Sequence, residues 1–151
     1  MLIDIITELK NRSIYKLLIV GDGELREALM RHAEERHVED RILFVGATNN
    51  TNKYYQMMDC FVLPSRFEGF GIVLLEAQAA GLRCYTTDTV VPYETNVTGR
   101  VTFISKSAAV GEWATQIIKG GFDRVDCISI LEESNYSMES MRQKLIKVFD
   151  I

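Results

Sequence analysis

The chain has 151 residues, 47% of them hydrophobic, and a formal net charge of −4. That is enough for one domain with a real core and too little for two. Scattered Lys and Arg in a mildly acidic chain exclude the basic stripe of a nucleic-acid binder, and no apolar run approaches the ~20 residues of a membrane-crossing helix.

The stretch from Met1 to Arg12 has an early acidic residue and no basic region before an apolar run. It therefore predicts no secretory leader, and cytoplasmic residence follows. Apolar positions 2, 3, 5, 6 and 9 give it a helical stripe, from Leu2 to Asn11. Tyr15 to Val20 reads as a buried strand ending in Gly21-Asp22-Gly23, and Glu24 to Glu35 as a polar, amphipathic helix. A second strand, Arg41 to Val45, runs into Gly46, and a polar loop, Ala47 to Asn52, leads to a short helix over Lys53 to Met58. Cys60 to Leu63 is a third strand, stopped by Pro64. A loop, Ser65 to Phe70, precedes a helix that starts near Gly71 and runs through Ala80, with Gly81 as its stop. Arg83 to Thr86 and Val101 to Ile104 complete the strands. Ala108 to Lys119 is a helix broken by Gly120-Gly121, and Ser137 caps a last helix to Phe149.

Strand and helix alternate throughout, and the strands are continuous apolar runs, as expected when both sheet faces are covered. The expectation is one α/β domain over residues 1–151, doubly wound and Rossmann-like around a parallel sheet. Crossovers of one hand put the strand-to-helix loops on one edge, where such folds bind ligands. Gly21-Asp22-Gly23 and the loops after Val45 and Leu63 should border one crevice. Cys60, Cys84 and Cys127 form no CxxC or metal-ligand spacing and read as free thiols, the first two as small buried hydrophobes. His32 and His37 read as surface residues, and Tyr54, Tyr55, Met57 and Met58 as packing.

The chemistry concentrates in PSRFEGFGIVLLEAQAAG, Pro64 to Gly81. Glycines on both sides of Phe70 let backbone approach a ligand and adopt positive φ. The helix that follows offers unpaired amides, which favour phosphate. Glu68 lies before those amides and Glu76 about one and a half turns inside the helix. Flanking carboxylates can accept hydrogen bonds from hydroxyls on either side of a phosphate, which fits a nucleotide-sugar. Plainer readings stand beside this one. A Gly-x-Gly also serves a turn, Gly21-Asp22-Gly23 included, and Glu68 could cap the helix. A purely structural reading is weaker for Glu76, because a buried carboxylate among Leu74, Leu75, Ala77 and Ala79 would be costly.

These residues resemble the donor-binding motif of glycosyltransferase family four, the retaining GT-B family (glycosyl transferases group 1) with many bacterial capsule, exopolysaccharide and lipopolysaccharide enzymes. Its hallmark is two glutamates separated by seven residues, here Glu68 and Glu76. LLIVGDGELREAL, DRILFVGAT and YYQMMDCFVLPS fit in the same order, so the match covers residues 16–87, with a weaker one in the C-terminal helices, 108–149. The resemblance implies that Glu68, the catalytic-site residue, contacts hydroxyls of the transferred sugar. Phe70 and Gly71 would offer amides near that sugar and the distal phosphate, and Ile72 and Val73 would present theirs to the diphosphate. Glu76 would bind the ribose, Gly46 and Ala47 would lie near the base, and Gly21 and Gly23 would leave room for the nucleotide. The implied donor is a nucleotide-sugar, a UDP-sugar foremost, with no metal or other cofactor, and the acceptor a glycan or lipid-linked glycan.

The sequence departs from the family at its start. The family's first strand in this domain, the basic Arg and Lys on the loop after it, and the acceptor-binding N-terminal domain have no counterpart here. The expectation is a donor domain that is inactive alone. Two readings stand beside it: the donor subunit of a split enzyme whose partner chain supplies the acceptor domain, and a non-catalytic nucleotide-binding or interaction module.

Overall fold

The computed structural model describes residues 1–12 and 14–134, so the helix expected over Ser137 to Phe149 lies outside the described residues. Among the described residues six helices are formed: α1 Leu2–Glu8, α2 Arg26–Glu35, α3 Thr51–Met57, α4 Ile72–Ala79, α5 Val110–Gly120 and α6 Ile128–Glu132. They alternate as far as β4 with strands β1 Leu17–Val20, β2 Ile42–Gly46, β3 Cys60–Leu63 and β4 Arg83–Thr87; β5 Val101–Ile104 follows without an intervening α-helix, and α5 and α6 come after it. Short 3-10 turns at Glu39–Arg41 and Tyr93–Thr95 lead into β2 and follow β4. No helix among the described residues is long and apolar enough to cross a membrane.

Every strand pair is parallel, but the strands form two sheets, β1-β2 and β3-β4-β5. Side chains of both sheets nevertheless enter one core. Leu17 of β1, Ile42 of β2, and Cys60 and Val62 of β3 pack on a cluster built from α1 (Ile3, Ile5, Ile6), Leu9 just after it, and α5 (Trp113, Ala114, Ile117). The alternate residues of β3, Phe61 and Leu63, point the other way, as strand pleating requires. They join Tyr55 of α3 and Leu74 and Ala77 of α4 in a second cluster. Helices thus cover both faces, the doubly wound arrangement expected.

The difference from a single continuous sheet lies between β1 and β3, where no strand runs among the described residues. All four residues of β1 and of β3 are only half-buried, whereas four of the five in β4 are buried. Their apolar runs, Leu-Leu-Ile-Val and Cys-Phe-Val-Leu, suit strands flanked on both sides, and here each has one neighbour.

Candidate functional site: the crevice at the start of α4

Gly71 sets the start of α4. It takes a left-handed conformation, φ 76° and ψ 44°, and no side chain among the described residues caps the helix there. A side chain at Gly71 would be strained by that φ, and its Cβ would lie 3.0 Å from Cγ1 of Val91. The first amides of a helix lack intrahelical acceptors, and those of Ile72 and Val73 sit under side chains that are 64% and 37% exposed. The first turn is therefore exposed at Ile72 and Val73, while Gly71 itself is buried. Behind it Gly81 ends the helix in a left-handed turn, with the Leu82 amide donating to the Ala77 carbonyl at 3.1 Å.

Glu68 and Glu76 are both exposed, each held by one neighbour. The Ser65 hydroxyl donates to Oε1 of Glu68 at 2.9 Å, which takes that carboxylate back along its own loop rather than onto the helix as a cap. The Tyr55 hydroxyl donates to Oε2 of Glu76 at 2.9 Å. Glu76 is thus not the buried carboxylate its apolar surroundings in sequence suggest. The polar side chain α4 does bury is Gln78, 0% exposed.

The loops after β1 and β2 meet as expected. The Gly21 amide donates to the Gly46 carbonyl at 2.9 Å, with φ values of 133° and 86° that favour glycine at both positions. Gly23 takes a local bond from its amide to Oδ1 of Asp22, 2.9 Å, and Ala47 is exposed just past Gly46. A cavity of about 220 Å³ lies between the end of β1 and α4: Val20 at the end of β1, Phe61 and Leu63 of β3, Tyr54 and Tyr55 of α3, and Val73 of α4 all line it, whereas Gly21, Gly23, Gly46 and Ala47 do not. The ends of β1 and β3 and the start of α4 therefore border one crevice. Phe70, 36% exposed, stands in the loop that leads to α4.

Sequence reasoning missed three side chains here. Tyr55, assigned to packing, is also the hydrogen-bond partner of Glu76. Arg26 opens α2, donates to the Phe44 carbonyl at 3.4 Å and stacks 5.8 Å from the Phe44 ring centroid, beside Gly46. Lys106, just past β5, stands 5.5 Å over the ring of Phe67, which is 89% exposed in the Glu68 loop. Lys106 could have been found from its place after the last strand; Tyr55 and Arg26 carry no such signal. His32 is half-buried rather than a plain surface residue, its Nε2 2.9 Å from Oδ1 of Asp4 on α1. Met57, expected to pack, is 68% exposed. Cys84 and Cys127 are buried free thiols and Cys60 is half-buried; burial pushes the Cys84 thiol up to about 12. Among the described residues no group of three or more His, Cys, Asp or Glu could hold a metal ion.

The chain is similar to known proteins. EpsF of Bacillus subtilis (strain 168), named as a glycosyltransferase, is 33% identical over 119 residues, 78% of this chain and 31% of EpsF. N-acetyl-α-D-glucosaminyl L-malate synthase of Bacillus anthracis is 36% identical over 107 residues, 69% of this chain and 28% of that protein. The chain spans less than a third of the length of either relative. Among solved structures, an S. aureus TarM variant in complex with fondaparinux, α-GlcNAc-glycerol and UDP matches with a TM-score of 0.82 at 19% identity, covering 99% of this chain and 32% of that one. WaaG, a glycosyltransferase involved in lipopolysaccharide biosynthesis, matches with a TM-score of 0.70 at 24% identity, covering 95% of this chain and 39% of that one. At such identities the likeness concerns the fold, a Rossmann-like part of the GT-B architecture. The model of the family described as glycosyl transferases group 1 matches residues 1–120, well over half of the chain, and the protein belongs to that family.

Proposed function

We propose that this chain is the nucleotide-sugar-binding part of a retaining hexosyltransferase that builds a bacterial capsular polysaccharide, exopolysaccharide or related glycan. The observation that carries the reading is the uncapped first turn of α4, exposed at Ile72 and Val73 behind left-handed Gly71 and accompanied by exposed Glu68 and Glu76. Aligned peptide dipoles place positive potential at a helix start, and unpaired amides there can grip a diphosphate without a metal ion. Glu68 receives hydroxyls of the sugar and Glu76 those of the ribose. Gly21, Gly23, Gly46 and Ala47 leave space for the nucleoside. In the reaction the anomeric C–O bond to the diphosphate breaks, a bond to the acceptor oxygen forms, and the acceptor hydroxyl proton passes to the departing nucleoside diphosphate. A UDP-sugar is the favoured donor: the TarM variant above was crystallised with UDP, and so was HepE of Anabaena, which matches with a TM-score of 0.74 at 18% identity.

The acceptor, a glycan or lipid-linked glycan, is bound across the cleft by polypeptide outside these 151 residues. Such transfers occur between walls that exclude water, and each group that stabilises the departing charge is worth ~3–4 kcal/mol. With one wall, the chain alone turns over donor slowly or not at all, which a transfer assay checks directly.

Donor binding is tested by thermal shift with UDP, GDP and ADP. At a hundredfold excess over Kd a ligand adds ~2.7 kcal/mol, roughly 5–10 °C for a domain of this size. Glu76→Ala should remove most of the shift given by the bare nucleotide. Glu68→Ala should leave that shift and reduce only the additional shift given by the sugar nucleotide. A chain whose melting temperature responds to none of the three nucleotides does not have this function.

A further inference from the structure

Tyr55 is 5% exposed and its ring meets that of Phe61 edge-on, with centroids 5.7 Å apart. Its hydroxyl has a single proton to give. The Val73 carbonyl is 3.5 Å away and Oε2 of Glu76 only 2.9 Å, so the carboxylate takes it. Oε1 of Glu76 accepts no hydrogen bond among the described residues. Burial and the neighbouring Glu76 charge both push the phenol above its ordinary value, so it stays protonated and donating across the working pH range. The helices carrying the pair are themselves joined. One guanidinium, Arg124, donates to the Tyr55 carbonyl at 2.7 Å and to the Met58 carbonyl at the end of α3, and at 3.1 Å to the Ala80 carbonyl at the end of α4.

We propose that Tyr55 is a positioning residue for the sugar of the nucleoside, fixing Glu76 so that its free oxygen meets the 2′- and 3′-hydroxyls and the site selects ribonucleoside over deoxyribonucleoside diphosphates. An exposed glutamate has three side-chain torsions to freeze when it binds a ligand. A buried donor that holds one oxygen beforehand removes much of that cost, which is preorganisation. The bond engages one carboxylate oxygen and leaves the other to accept from a ligand hydroxyl. This inference rests on the donor-site reading above.

The test compares the best binder among UDP, GDP and ADP with its 2′,3′-dideoxy counterpart by titration calorimetry. Wild type should prefer the ribonucleotide by more than about tenfold, as expected for hydrogen bonds to a charged group. Tyr55→Phe keeps the ring against Phe61 and should weaken the ribonucleotide about threefold to tenfold, leaving the dideoxy compound unchanged. In the Glu76→Ala background the same substitution should add nothing. Equal loss for both ligands, or no loss for either, overturns the positioning role while the donor site stands. A wild-type chain that binds neither ligand, or both alike, overturns the assignment of Glu76 to ribose, and this inference with it.

Discussion

Gln78 and Glu76 stand two positions apart on α4 in opposite surroundings. Gln78 has no exposed surface, and every polar atom of its amide is engaged. Its Nε2 donates to the carbonyls of Leu74 at 3.0 Å and Thr95 at 2.8 Å. Its Oε1 accepts from the Thr98 amide at 3.2 Å and the Thr98 hydroxyl at 2.9 Å. One side chain thus ties α4 to the segment between β4 and β5. Gln78→Leu keeps the bulk and strands the Thr95 carbonyl and the Thr98 amide, at about 1–3 kcal/mol for each buried group left unpaired. Urea unfolding should show a loss of about 3 kcal/mol, with nucleotide affinity unchanged under native conditions because Gln78 does not line the crevice. A midpoint equal to wild type would show that those groups find other partners. The sequence Ile-Val-Leu-Leu-Glu-Ala-Gln-Ala is too uniformly apolar to give the helix a phase. The motif spacing picks out Glu76, but nothing in it says which of the two polar residues is buried.

The elements themselves are largely legible. Four-residue apolar runs ended by Gly or Pro mark β1 and β3, and the left-handed glycines 71 and 81 bracket α4 within a residue of its expected ends. Helix α6 has only five residues, too few for a period, and its one local signal is Asp126, whose Oδ1 accepts from the Ile128 amide at 3.1 Å. The loop between α5 and α6 likewise takes its place from a tertiary contact that no local pattern announces. Asp123 accepts from Nε of Arg83, at the start of β4, at 2.8 Å and from Nη1 of Arg100, just before β5, at 3.2 Å. Arg83, then Arg100, hold its carboxyl down at about 2. A carboxylate depressed on folding stabilises the fold above its unfolded value, near 4, and that contribution fades as pH falls through the folded value. Asp123→Asn should therefore melt slightly below wild type at pH 7, the ion pair being open to solvent. The gap should close between about pH 4 and pH 2. A gap that persists at pH 2 would place its origin in packing instead of charge.

At the scale of the molecule, the two sheets share a core without sharing a hydrogen-bond ladder. The α1–α5 cluster reaches β1, β2 and β3 on one side, and the 220 Å³ cavity opens between the ends of β1 and β3. A sheet edge exposes a row of unpaired amides and carbonyls, and in a parallel strand successive residues point theirs to opposite sides. In β1 and β3, then, one set of amides is bonded to β2 or β4 and the other faces the gap. β4 lies between β3 and β5 and has both sets bonded. Hydrogen exchange resolved to single residues should show alternation in Leu17–Val20 and Cys60–Leu63, every second amide exchanging at rates set by local opening, and even protection along Arg83–Thr87. Bound nucleotide should slow exchange at the start of α4 while leaving the alternation in β1, since a ligand at the mouth of the crevice gives the strand edges no partner. Even protection of β1 and β3 in the free chain would mean that the two sheets pair in solution, and the crevice would then have a closed floor rather than an open seam.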